Sequence, residues 1–348
     1  MAAEHSYARK RPRRRAALAS GIAAAILLTL PGRAAFAAAA PPSVRAQSLA
    51  VDGIWLSVAN LDRSLGFYRD IVGLPLQSPD TPAADAMLRN LTALPGARVR
   101  SAVLGSGVAP LLRLAQFSVA GRRVLRPHSV DPGAAMLEIN VSDLDAVLRA
   151  AARAHTPMAT RAAAPVRLPD GSRAVVLIDP DGYFVALFEP PSAARSRTAA
   201  ASLLGVRFTV ALPATMVRFY QQTFGIPLRA GDFMNLGDWT VLLGQPTGQW
   251  AVTEVRSAGA VRDAEGFDEV QFVAFRRVPR HTFSGRPQDP GTPTLSLRVT
   301  NLAAALRAIR SAGLRVLSAG GQPIPLPGGG AAVLFRDPAG VLVDLIQR

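Results

Sequence analysis

The sequence predicts an α+β fold made of one strand–helix–strands unit written four times, and three observations predict it. Residues 53–76, "GIWLSVANLDRSLGFYRDIVGLPL", match residues 205–228, "GVRFTVALPATMVRFYQQTFGIPL", without a gap. Residues 136–158, "MLEINVSDLDAVLRAAARAHTPM", match residues 294–316, "TLSLRVTNLAAALRAIRSAGLRV", in the same way. Each member of this second pair then runs into a matching hairpin, "VLIDPDGYFVALFEP" or "VLFRDPAGVLVDLIQR". The middles also correspond, "LAQFSVAGRRV" to "EVQFVAFRRV", so the units alternate in type along the chain.

Taken in order, each unit opens on a strand whose apolar residues alternate. In "GIWLSV", Ile54, Leu56 and Val58 face the helix, and Gly53, Trp55 and Ser57 face the other way. The helix of unit one repeats Leu61, Leu65, Tyr68 and Val72 at helical spacing behind Asn60 as N-cap. In unit two, Leu144, Val147, Leu148 and Ala151 follow Ser142 or Asp143. "DPDG" and "DPAG" are turns joining the last two strands of their units. The small, polar stretch 191–202 reads as a linker between domains at 48–190 and 203–348.

The chain has 348 residues, 49% of them hydrophobic, enough for ordinary cores. It has no cysteine, which excludes thiol catalysis, disulfides and thiolate metal sites. Lys10 is the sole lysine, so no lysine Schiff base can form in either domain. The net charge is +15, but seven cations against Glu4 put +6 of it in residues 1–40, leaving +9. That remainder forms no basic stripe, so nucleic acid is not an expected partner. Residues 1–40 have the layout of a signal peptide: "RKRPRRR", then the apolar "AALASGIAAAILLTL", then small residues for cleavage. "RRRAAL" resembles a twin-arginine export motif, and an uncleaved anchor is the alternative. Either way the expected location is periplasmic or secreted, with no membrane contact beyond this segment.

Four βαβββ units paired as two tandem domains resemble the vicinal oxygen chelate (VOC) superfamily, which includes glyoxalase I, bleomycin-resistance proteins and extradiol dioxygenases. The resemblance rests on "VANLDRSLGFYRDIVGLPL", "VSDLDAVLRAAARA", "IDPDGYFVALFEP" and "FRDPAGVLVDL", and covers residues 50–348. It implies two curled sheets, each around a cavity, and in metal-using members ligands at the start of each unit's first strand, on a later strand and on the last strand. Those positions fall on Gly53, Arg113, Met136 and Ala186 in the first domain, where no conventional divalent-ion site can form. In the second they fall on Gly205, Asp268, Thr294 and Asp344. Asp268 and Asp344 are weak metal candidates, and the alternative is that both pair with arginines. No cofactor is expected, a divalent metal in the second domain being the alternative. The three histidines after residue 40 read as a helix-end residue (His155) and loop residues (His128, His281).

Strand alternation then furnishes two cavities. The first would hold Trp55, Met136, Glu138, Asn140, Phe184 and Phe188, a lining that suits a flat or cationic organic molecule. The second would hold Arg207, Arg298, Thr294 and Ser296 with Asp344, which suits a carboxylate or phosphate. Asp52 would point away into solvent. Three functions stay open: a metal-independent small-molecule binder, a lyase or dioxygenase-like enzyme with metal in the second domain, and an interaction protein with filled cavities. No catalytic residue can be named.

Overall fold

The computed structural model describes residues 50–348 except 80–81, 107–110, 163, 192–200, 225–231, 236, 238, 246–248, 257–268 and 283. The expected signal segment, Asp268 and most of the expected linker lie outside the described residues. Unit one comprises β1 (Ala50–Val58), α1 (Leu61–Leu65), β2 (Leu76–Ser78), α2 (Pro82–Leu91), β3 (Arg98–Leu104) and β4 (Leu111–Ser118). Unit two comprises β5 (Ala135–Asn140), α3 (Leu144–Arg153), β6 (Val166–Arg167), β7 (Arg173–Ile178) and β8 (Phe184–Glu189). Unit three comprises β9 (Ser202–Thr209), α4 (Pro213–Phe224), β10 (Met234–Asn235), α5 (Trp239–Leu242), β11 (Gln249–Arg256) and β12 (Glu269–Arg276). Unit four comprises β13 (Pro293–Arg298), α6 (Leu302–Ser311), β14 (Ile324–Pro325), β15 (Ala331–Arg336) and β16 (Leu342–Gln347).

α1 and α3 start where the sequence says they should, and α6 is capped in the same way. Asn60 accepts from Arg63 N, Asp143 from Ala146 N and Asn301 from Ala304 N, so each satisfies an orphan donor of its first turn. α1 continues as a π-helical turn, Gly66–Ile71, which buries Phe67 and Tyr68. After α3, His155 takes a positive φ of 52°, as its counterpart Gly313 does at 74°; it is a helix-end residue.

Two eight-stranded sheets result, and their composition corrects the expected pairing of neighbouring units. One runs β14-β15-β16-β13-β1-β4-β3-β2 and the other β10-β11-β12-β9-β5-β8-β7-β6. Unit one therefore completes its sheet with unit four (the outer sheet), and unit two with unit three (the inner sheet). The central seams are antiparallel, β1 on β13 and β5 on β9. Sequence neighbours meet instead through the helix layer. Tyr68 of unit one donates to Asp179 in the "DPDG" turn of unit two at 2.9 Å, and Tyr220 of unit three donates to Asp337 in the "DPAG" turn of unit four at 3.3 Å. Each aspartate also accepts two backbone N–H groups of its own turn. One apolar core, with Leu56, Leu137, Phe208 and Leu297 from the four first strands, lies on the helix-facing side of both sheets.

A second repeated element ties the connections down. Asp131 of "DPG" accepts from His128 N and His281 N at 2.7 Å each, and Asp289 of the other "DPG" accepts from Arg123 N and Arg286 N. Each joins units that share a sheet. His128 and His281 are thus loop residues on this scaffold.

Gly53 occupies a bulge in β1, where the register against β13 shifts between Val51 and Gly53. Its φ is +153°, and an added Cβ would stand 2.0 Å from the carbonyl oxygen of Leu111. Neither condition admits a side chain. Gly66, by contrast, has helical angles and nothing within 4 Å of an added Cβ. Gly53→Ala should therefore lower unfolding free energy by at least about 2 kcal/mol, whereas Gly66→Ala should raise it by up to about 1 kcal/mol, measured by urea titration. The interleaved pairing also predicts that residues 48–190 and 203–348 expressed apart will not give stable monomers, but will restore the native far-ultraviolet spectrum when co-expressed.

Candidate functional site

The concave face of the outer sheet carries a closed apolar floor and one polar corner. Trp55, Leu88, Leu91, Phe117, Leu342 and Ile346 pack together, with Trp55 stacked on Phe117 at 6.2 Å between ring centres. The polar corner follows from the register. Ser296 lies opposite both Gly53 and Asp344, while Arg113 lies beside Trp55. Arg113, Asp344 and Ser296 line a cavity of about 70 Å³ roofed by Leu88 and Leu91 of α2.

Asp344 is 4% exposed and its Oδ1 has no hydrogen-bond partner. Burial pushes its carboxyl up to about 7, helped by the nearby negative charge of Asp52 and opposed by the Ser296 hydrogen bond and the Arg113 charge. Arg113 is largely buried; desolvation draws its pKa down while Asp344 acts against that. Among the described residues no hydrogen bond or ion pair closes Arg113 onto Asp344. Geometry explains the gap: β4 and β16 are separated by β1 and β13, three strand spacings or roughly 14 Å along the sheet. The cavity lies between the two side chains.

Asp52 corrects an expectation. It is 7% exposed and lines the same cavity, paired with Arg298 and, at 3.2 Å, with Arg348. The bulge beside Gly53 is the reason: it breaks the alternation that would have sent Asp52 to the other face.

The inner sheet has the same framework with different chemistry. Arg207 takes the place of Trp55, Glu138 that of Ser296, Ala186 that of Asp344 and Gln271 that of Arg113. Here the charges sit on adjacent strands, and Arg207 meets Glu138 directly at 2.5 Å. The guanidinium also lies over Trp239, 4.2 Å from the ring centre, and 5.5 Å from that of Trp250. Met136, Phe184 and Ala186 pack with Trp250 and Phe275 behind it, with Phe188 against them. The space left is about 10 Å³, room for one water at most.

The structure thus redistributes the residues that the sequence grouped. Trp55 does not join Glu138, Phe184 and Phe188; it belongs with Ser296, Asp344 and Arg113. Asn140, at the end of β5 opposite Phe188, stays with the inner sheet. Arg207 and Arg298 belong to different sheets, where Arg207 pairs with Glu138 and Arg298 with Asp52 rather than with Asp344. The pairing of units 1–4 and 2–3 causes every one of these changes. Sequence reasoning passed over Arg113 as a ligand-binding residue, Asp52, and the Tyr–Asp and "DPG" ties. The last two had a signal, since both recur between copies.

No family model and no curated protein matches the chain. Solved structures do. Glyoxalase I from Zea mays superposes with a TM-score of 0.57 at 18% identity, covering 86% of this chain and 93% of that one. A mutant of the same maize enzyme gives 0.57 over 86% and 94%, also at 18% identity. A proposed dioxygenase from Bacillus subtilis gives 0.53 at 14% identity over 87% and 86%. The chain has the VOC fold, in a tandem form with two curled eight-stranded sheets.

The donor set at the outer site does not suit the divalent ion that metal-using VOC proteins hold. Gly53 has no donor and no room for one, a guanidinium stands at Arg113, and of the carboxylates in the lining Asp52 is held by Arg298 and Arg348, which leaves Asp344. No group of three His, Asp or Glu residues forms a metal-binding cluster among the described residues. Of the expected two-carboxylate site, Asp268 lies outside the described residues, and the strand that follows it, β12, belongs to the inner sheet while Asp344 is on β16 of the outer one.

Two outcomes follow. In an unfolded chain Asp344 would titrate near 3.8, and in the folded one near 7, so between those values the folded state holds a proton that the unfolded state has released. Its stability contribution is complete below the lower value and is lost as pH rises through the upper one. Asp344→Asn should therefore reduce the drop in Tm between about pH 5 and about pH 8. At the inner site, Arg207→Met should destabilise by about 3–5 kcal/mol by stranding Glu138, and Glu138→Gln in the same chain should recover part of it, measured by denaturant titration.

Proposed function

We propose that this chain is an exported small-molecule-binding protein that uses the VOC fold without its metal, and that the ligand occupies the outer-sheet cavity. One observation carries the reading: Arg113 and the unpartnered carboxylate oxygen of Asp344 face the same cavity without closing on each other. Buried polar groups left so are costly unless something satisfies them. The inner sheet shows the contrasting case, where Glu138 and two tryptophans neutralise the arginine and fill the space. The filled-cavity reading applies to that half, and ligand binding to the other. Export rests on the signal layout of residues 1–40.

A fragment screen with chelator present tests the binding reading, using Trp55 fluorescence in a Trp239→Phe, Trp250→Phe background. Binders should appear without metal, and Ala332→Leu, which fills the cavity, should weaken them at least tenfold. A stoichiometric divalent ion lost in Asp344→Ala would overturn the metal-free reading, and binders indifferent to Ala332→Leu would overturn the location. Cell fractionation should place the protein outside the cytoplasm only when residues 1–40 are present.

A further inference from the structure

We infer that the outer-sheet cavity takes a short hydroxy acid, its carboxylate on Arg113 and its hydroxyl donating to Asp344. The inference rests on the binding reading above and names the class of ligand.

The guanidinium in the cavity wall indicates an anion. Arg113, Arg298 and Arg348 stand around the cavity against Asp52 and Asp344. Asp52 is engaged by both Arg298 and Arg348, so Arg113 is left facing Asp344 across the open space. Asp85 also acts on Arg113, so the corner is neutral with Asp344 ionised and cationic by one charge with Asp344 protonated. A guanidinium presents paired donors that fit a carboxylate's two oxygens.

Asp344 specifies the second group. One of its oxygens interacts with Ser296, and Oδ1, buried and unpartnered, needs a donor. A ligand that supplies only a carboxylate would satisfy Arg113 and leave this oxygen stranded. A carboxylate with a nearby hydroxyl satisfies both ends of the cavity.

The walls and volume limit the rest. Trp55, Leu88, Leu91 and Ile346 are apolar, so the ligand's remaining surface is carbon rather than further charge. A cavity of about 70 Å³ has the volume of roughly two liquid waters at about 30 Å³ each. That matches an acid of two or three carbons and leaves no room for the flat or cationic organic molecule expected where Trp55, Phe184 and Phe188 share one cavity.

The experiment titrates wild-type protein, by isothermal titration calorimetry, with lactate, propionate, lactamide and inorganic sulfate. Lactate should bind about tenfold more tightly than propionate, as expected for one hydrogen bond to a charged group, and lactamide should bind at least tenfold more weakly than lactate. Asp344→Asn should bring lactate down to the level of propionate and leave propionate itself within about twofold, while Arg113→Gln should abolish both. The contrasts among ligands on the wild-type protein stand even where a variant folds poorly. Equal binding of lactate and propionate would overturn the role of Asp344. Binding of lactamide as tightly as lactate, or of sulfate in preference to either acid, would overturn the hydroxy acid while leaving the metal-free cavity intact. A null result for all four, alongside cavity-dependent hits from the fragment screen, would overturn the ligand class alone.

Discussion

Both sheets depend on one antiparallel seam each, β1 on β13 and β9 on β5. Every unit ends its four-strand ribbon with its first strand near the middle of a sheet, so a lone unit would expose that strand's backbone groups to water. Pairing first strand to first strand removes the exposed edge and curls eight strands around a common concave face. The same seam sets the row of residues that reaches the cavity. Had unit one paired with unit two, Trp55 would stand beside Glu138, and the charges that now face each other across the outer cavity would belong to different sites.

The distance between charged strands decides what each concave face can do. The inner sheet puts Arg207 and Glu138 on neighbours and lets them neutralise each other under two indole rings. The outer sheet puts Arg113 and Asp344 on strands with two others between them, and side chains of their length leave room. Two copies of one framework thus yield a plugged half and an open half with no change of fold. Gly53 fixes this further, since the approach of Leu111 keeps the metal-ligand position bare whatever residues surround it.

The repeat, the helix caps at Asn60 and at Ser142 or Asp143, the turns and the inward faces of Trp55, Met136 and Phe184 were all legible from residue order, because each depends on local periodicity. The pairing of units was not, because similarity between copies says what each copy is and nothing about which one it joins. Short connections favoured neighbours, yet the connections here cross from sheet to sheet, held by Asp131 and Asp289, and neighbours meet through Tyr68 and Tyr220. Asp52 was misplaced for a local reason: a bulge shifts alternation by one residue, and nothing in "VDGIW" except its glycine hints at it.

The interleaving of units has a consequence for assembly. The inner sheet is built from strands contiguous in the chain, β5 to β12, and can close once they have emerged. The outer sheet needs β1 to β4 from the start and β13 to β16 from the end, so its seam closes over the longest loop in the molecule. The cavity at Arg113 and Asp344 is therefore the last part of the protein to come into being. A chain cut short between β12 and β16 could still form the plugged half, but it would have no outer cavity.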